Sequence, residues 1–329
     1  MIKGVILMEE VLNIFYRVKC KNANTCSQYQ RYVEEFLEFL KVNYNIEEPE
    51  DIKQYMVIEY ISSLDEKVQD KRYKKEKLIE LSQNTKYTKL KVVSSLLTFL
   101  YENEFINKDL AKTIDLSKHK EKEHHDIYMT KDEVGLLMDY MRSDIQVGNA
   151  RCIAFNKARD RFMFALILKL GNRIGEVTSL TFEGLDFEEG TITIDGKNRK
   201  NKQTLVNQFD SQLQELYREY MLERDKRGIT SPLVFTTQNG KQLYRSNCND
   251  ILKKRIHEAN VYANMKNDSR KIDENKGLTI HKLRHTCGSL LNSSNQSLET
   301  IASILGQKTL KVTKMYTHVN NMSVPLVQL

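Results

Sequence analysis

The sequence lacks the features that mark membrane, disulfide-rich and zinc-ribbon proteins. Its longest purely apolar stretch, 162–168, is much shorter than the roughly 20 residues that a membrane-spanning helix requires. The 5 cysteines include no C-x-x-C pair, and their odd number and wide spacing fit neither a disulfide framework nor a zinc ribbon. The N-terminus has a short apolar stretch followed by acidic residues, without the cleavage site of a secretory signal. We therefore expect a cytoplasmic protein with buried thiols and no membrane partner.

Only 3 prolines occur in the chain, so the domain boundary has to be found from polarity. The stretch 117–126, SKHKEKEHHD, contains no apolar residue and predicts a linker. Before it, apolar residues recur at helical spacing over 27–42, 51–64 and 84–101. These patterns predict three segments: a helical domain over 1–115, a linker over 116–128 and a second domain over 129–329.

The second domain mixes helical and strand patterns. Thr130 and Glu133 form a T-x-x-E capping box ahead of an apolar helix. Residues 161–170 are mostly apolar, which indicates a buried helix, and Gly171 suits the position just past its end. Residues 190–207 alternate around a basic turn rich in Gly and Asn, which is typical of a β-hairpin. We expect a mainly α fold with a small β-sheet, the second domain being α+β.

The net charge of +7 is a weak indication of a polyanionic partner. Its distribution is more informative, because residues 1–128 carry −1 and residues 129–329 carry +8. Charged helix surfaces that simply face solvent would account for part of this pattern.

The segment 281–285, HKLRH, places His281 and His285 one helical turn apart around Arg284. A zinc protease helix needs a glutamate after its first histidine to activate water, and this chain has Lys282 there. The metal interpretation therefore loses its general base. Arginine, with its planar and permanently charged fork, suits a phosphodiester whose negative charge grows as it is attacked.

Two other segments carry chemistry of the same kind. LGNRIGEVTSL, 170–180, places Arg173 just past the buried helix and Glu176 one turn on, where a carboxylate can orient a cation. LGQKTLKVTKMYTHV, 305–319, ends with Tyr316 on a short predicted helix. A phenol with a pKa of about 10 is a poor nucleophile. Cations around the attacked phosphate can nevertheless stabilise the phenolate as it forms.

The motifs G-x-R-x-x-E, a strand-borne G-K, H-x-L-R-H-T, L-G-x and T-x-x-Y-T-H follow one another in this order. In order and spacing the chain resembles the tyrosine recombinase, or phage integrase, family over about 129–319. The helical module 26–115 is similar to the core-binding domain of that family. The resemblance implies a site-specific DNA recombinase with a helical core-binding domain and an α+β catalytic domain that together clamp DNA.

Carried over to this sequence, the resemblance implies a role for each motif residue. Tyr316 would attack the scissile phosphate, form a 3′-phosphotyrosyl link and free a 5′-hydroxyl. Arg173 and Arg284 would clamp the non-bridging oxygens, Lys197 would protonate the leaving 5′-oxygen, and His281 would act in proton transfer.

The remaining positions would support these groups. Glu176 would brace the arginines, and His285 is expected to be structural rather than catalytic. Gln307 departs from the family, which usually has a histidine or tryptophan after L-G; glutamine can donate a hydrogen bond but carries no charge. Losing one preorganised donor typically lowers the rate roughly 10² to 10³-fold, so a change of donor should leave an active enzyme.

The resemblance also implies partners and cofactors. The energy of the broken bond stays in the phosphotyrosine, so no ATP is required, and the sequence has no G-x-x-x-x-G-K-[ST] loop. Arginines would replace a metal ion. The expected partner is double-stranded DNA with specific core sites, bound by a homotetramer across two sites, with accessory DNA-bending or directionality factors as further candidates. When bound to DNA the cytoplasmic protein would lie on the nucleoid.

Basic residues in two regions are the candidates for DNA contact. Arg199, Lys200 and Lys202 lie near Lys197 in the predicted hairpin loop, close enough that one of them could take the role of the acid. In the helical domain the candidates are Lys86, Lys89 and Lys91.

Two alternatives stay open at this point. A type IB-like topoisomerase shares the Arg, Lys and Tyr chemistry but acts without paired sites. A catalytically degenerate, DNA-binding relative would retain the fold without the reaction.

Overall fold

The computed structural model describes residues 8–20, 23–66, 68–69, 78–119, 127–148, 153–186, 189–194, 205–208 and 210–306. The chain divides into two compact units between His124 and His125, within the polar stretch predicted as a linker. None of the helices in these ranges has the length and apolar character that a bilayer crossing would demand.

The first unit is built from helices and one minimal hairpin. Its elements are α1 (Met8–Lys19), α2 (Ala23–Tyr44), α3 (Gln54–Ser63), β1 (Val68–Gln69), β2 (Leu78–Ile79) and α4 (Gln83–Glu102), with 3-10 turns at Pro49–Asp51, Leu110–Thr113 and Leu116–His119. Ser82 caps α4 by accepting a hydrogen bond from the Thr85 amide at 3.2 Å. The predicted helices at 27–42, 51–64 and 84–101 correspond to α2, α3 and α4.

The core of this unit forms where the apolar faces of the helices meet. Phe15 of α1, Phe36 of α2 and Leu90 of α4 are fully buried. The Phe15 ring lies 5.4 Å from that of Phe99, and the Phe36 ring meets Tyr60 edge-on at 4.9 Å. Aromatic pairs at these distances add to the hydrophobic stabilisation from burial.

The second unit is mainly helical and includes a three-stranded antiparallel sheet. Its elements are α5 (Lys131–Arg142), α6 (Ile153–Leu170), α7 (Ile174–Thr178), β3 (Leu185–Asp186), β4 (Thr191–Ile194), β5 (Leu205–Gln208), α8 (Ser211–Asp225), α9 (Arg245–Lys266), α10 (Ile280–Ser293) and α11 (Leu298–Ile304). The sheet order is β3-β4-β5, with Ile192 opposite both Leu185 and Asn207. The predicted hairpin is therefore present as β4 and β5, and the mainly α fold with a small sheet is confirmed.

Helix α6 is the central element of this unit. Residues 162–168 are all buried, and α5, α8 and α10 pack against the helix. Its first half carries buried charges: Asp160 accepts hydrogen bonds from Arg159 at 2.6 Å and from Arg255 of α9 at 2.8 Å. Because Arg159 and Arg255 are both paired with Asp160, this network links α9 to α6 without leaving the buried carboxylate uncompensated.

Candidate active site

The turn between α6 and α7 positions the first predicted site residues. Gly171 has φ +60, a left-handed conformation that favours glycine. A Cβ there would overlap the Cδ2 atom of Leu305 and lie 3.5 Å from the Cys287 Sγ. Glycine therefore allows the end of α11 and the face of α10 to approach this turn closely.

Arg173 and Glu176 form a local pair at the start of α7. The Arg173 amide donates to Glu176 Oε2 at 2.8 Å, and Arg173 Nη1 donates to Glu176 Oε1 at 3.1 Å. The Glu176 side chain is buried, whereas 44% of the Arg173 side chain is exposed. The buried carboxylate thus holds the side chain of Arg173, which remains partly exposed to solvent.

Arg284 lies at the centre of the site on α10, with 5% of its surface exposed. Its Nη1 donates to the Gly171 carbonyl, and its Nη2 donates to the Leu305 carbonyl. A single guanidinium therefore joins the turn that carries Arg173 to the end of α11. Arg284 therefore lies beside the turn that carries Arg173, and the charges of both arginines reach His281.

His281 lies among these positive charges. Its environment lowers the pKa of its imidazole, first through desolvation and then through the charges of Arg284, Arg245, Lys282 and Arg173. A histidine in such surroundings is neutral near pH 7. His281 can therefore accept a proton, which suits the predicted role in proton transfer.

His285 packs against His281 one turn later. The ring centroids are 5.0 Å apart and the rings are perpendicular. Burial lowers the pKa of His285 to about 4, with further contributions from the charges of its neighbours. Among the described residues no group of three or more His, Cys, Asp or Glu is arranged to hold a metal ion.

Helix α11 and the residues around it lead toward the predicted nucleophile. Leu291, Ile301 and Leu305 form a small buried cluster with Cys287, separate from the main core. Gly306 follows with φ +55. The predicted residues beyond it, Gln307 and Tyr316, and those of the hairpin loop, Lys197, Arg199, Lys200 and Lys202, lie outside the described residues.

The three lysines predicted to contact DNA from α4 differ in their surroundings. Lys86 is buried, and its ammonium donates to Asp65 at 2.6 Å. Lys89 is ion-paired with Glu35 at 2.5 Å. Lys91 is exposed. Two of these cations are thus neutralised by partners inside the first unit, and Lys91 is the accessible one.

The sequence patterns did not identify Arg245 or Asn249. Arg245 begins α9 and is exposed, and its charge contributes to the environment of His281. Asn249 accepts a hydrogen bond from the Ile280 amide at 2.9 Å, beside His281. No motif marks either residue, although a basic residue at the start of a long helical pattern is a signal that could have been used.

Comparison with known proteins identifies this combination of fold and site. Residues 127–322 match the model of the phage integrase family. The tyrosine recombinase XerC of Thermodesulfovibrio yellowstonii is 26% identical over 313 residues, which cover 94% of this chain and 90% of the relative. XerD of Staphylococcus epidermidis is 26% identical over 97% of this chain and 95% of the relative.

Solved structures share the fold at lower identity. A λ integrase dimer bound to a COC′ core site has a TM-score of 0.64 at 11% identity, over 98% of this chain and 100% of that chain. The Tn1549 transposon integrase in complex with circular intermediate DNA has a TM-score of 0.67 at 14% identity, over 95% and 96% of the two chains. The XerH recombinase in a post-cleavage complex with its difH substrate has a TM-score of 0.64 at 19% identity, over 94% and 80%.

These features define a DNA strand-transfer enzyme of the site-specific recombinase class. The chain belongs to the phage integrase family, and the prediction of a tyrosine recombinase is confirmed. The topoisomerase alternative is not favoured, because the curated relatives are named as recombinases.

Proposed function

We propose that this recombinase cleaves double-stranded DNA at specific core sites through a covalent link to Tyr316. The Tyr316 oxygen attacks the scissile phosphorus, the bond from phosphorus to the 5′-oxygen breaks, and a 3′-phosphotyrosyl intermediate forms. Rejoining is the reverse reaction, in which a 5′-hydroxyl attacks phosphorus and releases the tyrosine. The bond count is unchanged in each step, so neither ATP nor hydrolysis is needed.

The observation that carries this proposal is the arrangement around Arg284. Its hydrogen bond to the Gly171 carbonyl sets it beside the turn of Arg173, and both arginines act on His281. Two guanidinium groups on adjoining segments can hold the two non-bridging oxygens of one phosphate. As charge builds on these oxygens in the transition state, the fixed cations stabilise it without reorganisation.

Proton transfers complete the proposed mechanism. Neutral His281 accepts the proton of the Tyr316 hydroxyl as the phenolate attacks. Lys197 donates a proton to the leaving 5′-oxygen, which leaves as a hydroxyl rather than an alkoxide. Gln307 donates a hydrogen bond to a phosphate oxygen in the place where the family usually has histidine or tryptophan.

We further infer that four protomers act on two DNA sites and that the protein works in the cytoplasm, on the nucleoid. The solved λ integrase, Tn1549 integrase and XerH structures are each complexes with DNA, and the first of these is a dimer. The proposed contacts to the DNA phosphate backbone are Lys91, Arg199, Lys200 and Lys202. Lys86 and Lys89 would also contact DNA if phosphates replaced their acidic partners, Asp65 and Glu35. The domain boundaries 1–115, 116–128 and 129–329 also stay part of the proposal.

The test is to trap the covalent complex on nicked suicide duplexes taken from the flanks of the gene, in buffer with EDTA. Wild-type protein should form an adduct that resists denaturant, and peptide mapping should find the DNA on Tyr316. Tyr316→Phe should form no adduct while still binding the duplex, and Tyr244→Phe, which alters an exposed tyrosine, should behave as wild type. Adduct formation by Tyr316→Phe equal to wild type would show that another group is the nucleophile.

Recombination and relaxation are then compared on plasmids. Two copies of the mapped site should give recombinant products, whereas a plasmid without the site should stay supercoiled. Relaxation without site preference and without recombinants would identify a topoisomerase instead.

A further inference from the structure

Arg245 is an exposed cation next to the site, and the proposed mechanism gives it no role. It is the first residue of α9. Among the described residues no acidic side chain forms an ion pair with it, whereas the neighbouring cation Arg173 is held by Glu176. An exposed arginine without an acidic partner is free to bind an anion from solution.

The packing of α9 on α10 fixes where Arg245 lies. Asn249 is one helical turn after Arg245, and its Oδ1 accepts the hydrogen bond from the Ile280 amide at 2.9 Å. Ile280 directly precedes His281. Since residues four apart share a helix face, Arg245 and Asn249 both face the start of α10. The influence of Arg245 on His281 is consistent with this placement.

The positive charge around His281 is larger than one phosphate can balance. Arg173, Arg245, Lys282 and Arg284 all lower its affinity for a proton, and each is a cation. Of these cations, Arg173 is partly neutralised by its ion pair with Glu176. One scissile phosphate brings a single negative charge, which leaves an excess of positive charge among the described residues of the site. Phosphates of one strand repeat about every 3.4 Å along the duplex axis, so a second phosphate follows within a short distance.

We propose that Arg245 binds the phosphate adjacent to the scissile phosphate on the cleaved strand, and thereby fixes the strand in register with His281 and Arg284. This inference rests on the proposed function, because it takes the scissile phosphate to lie at the two arginines. It adds a substrate-contact residue outside the five sequence motifs.

The first experiment compares Arg245→Ala with Lys266→Ala. Lys266 is an exposed cation at the opposite end of α9, so its removal is the matched control for loss of charge. Affinity for a 30-base-pair duplex is measured between about 50 and 200 mM salt. One phosphate contact contributes about 0.9 to the slope of log affinity against log salt, which is about a 3.5-fold change over this range. Arg245→Ala should lose that contribution, and Lys266→Ala should keep the wild-type slope.

The second experiment locates the phosphate. Single phosphates on both sides of the cleavage position are replaced by neutral methylphosphonates, and single-turnover cleavage is measured. For wild type, replacement of one phosphate next to the scissile one should slow cleavage. For Arg245→Ala that replacement should have no further effect, while replacements elsewhere keep theirs. Thermal melting of each variant verifies that the fold is intact, as expected for exposed side chains.

Two results would overturn the proposal. An unchanged methylphosphonate profile in Arg245→Ala would show that this residue does not contact the neighbouring phosphate. A loss of affinity limited to one base-pair identity, with a wild-type salt slope, would show that Arg245 reads a base edge instead. The failure of the proposed function is separate, because it would show as the absence of a Tyr316 adduct in wild type, whereas the salt slope is measured by binding alone.

Discussion

Replacement of Gly171 by alanine tests how tightly the site is packed. The new Cβ lowers the stability of the fold in two ways. The residue must keep φ +60, and the methyl group overlaps Leu305, which is fully buried. A left-handed backbone costs roughly 1–2 kcal/mol for a residue with a Cβ. Overpacking a core costs about 1–3 kcal/mol. Replacing glycine also lowers the conformational entropy of the unfolded chain, a gain of about 0.4–1 kcal/mol, so a net loss of about 1–4.6 kcal/mol is expected.

The measurement is thermal unfolding of Gly171→Ala beside Gly175→Ala. Gly175 is close by in α7, and a Cβ there would meet open space. For a unit of about 200 residues each kcal/mol shifts Tm by about 2–4 °C, so Gly171→Ala should melt about 2–18 °C below wild type. Gly175→Ala should melt at or slightly above the wild-type temperature, because alanine favours the helix by up to about 1 kcal/mol.

Cleavage should suffer as well, because Leu305 carries the carbonyl that binds Arg284. In single-turnover assays on the suicide duplex, Gly171→Ala should cleave more slowly at unchanged DNA affinity. A double-mutant cycle with Leu305→Ala isolates the overlap: Leu305→Ala should destabilise the Gly171→Ala background less than it destabilises wild type. Equal melting temperatures for the two alanine variants would refute the packing argument.

Three further predictions follow from the described contacts. Burial lowers the pKa of His285 to about 4 in the folded protein, against about 6.5 in the unfolded chain. Between these pH values the unfolded chain binds more protons, so stability falls as pH decreases. Denaturant titrations at pH 7.5 and 5 should therefore show a smaller decrease in the free energy of unfolding for His285→Gln than for wild type. Lys91→Met should weaken DNA binding and leave Tm unchanged. Lys86→Met should lower Tm, because it removes the hydrogen bond from the buried Lys86 side chain to Asp65. The reverse pattern would contradict the assignment of Lys91 as the accessible cation. Thr286→Val removes the acceptor at 2.9 Å from the buried Met129 amide and should cost about 1–3 kcal/mol in chemical denaturation, with Thr286→Ser close to wild type.

Features that depend on nearby residues could be predicted from the sequence. The capping box at the start of α5 is present, with the Thr130 amide donating to Glu133 at 2.7 Å and the Glu133 amide donating to the Thr130 hydroxyl at 3.2 Å. The pairing of Arg173 with Glu176 is of the same kind, over three residues. Both contacts join residues within one helical turn, so a short sequence motif is enough to predict them.

The buried helix α6 was also predictable, because a continuous apolar run is stabilised when it is removed from water into a core. Its length was underestimated, since α6 begins at Ile153 rather than near residue 161. The first two turns contain Lys157, Arg159 and Asp160, which look like exposed residues in the sequence. They are buried because partners from distant segments neutralise them or accept their hydrogen bonds.

Long-range partners account for what the sequence patterns missed. A basic stretch predicts a DNA-contacting face, but the pattern does not show that Lys86 meets Asp65 across the first unit. Likewise, the Ile280 amide of α10 donates a hydrogen bond to Asn249 of α9, 31 residues away, and this bond joins the first turns of the two helices. Such contacts are set by the packing of whole helices, and local periodicity carries no information about their partners.

The two carbonyl bonds of Arg284 limit how this enzyme can evolve and how its variants should be interpreted. Guanidinium has five N–H donors in a rigid plane, and two of its nitrogens each bind a carbonyl from a different segment. Lysine has a single nitrogen at the end of a flexible stem. Arg284→Lys would therefore keep the positive charge but lose the pair of hydrogen bonds that links Gly171 to Leu305. Inactivity of an Arg284 variant therefore reports lost architecture together with lost chemistry, and selection acts on both at once.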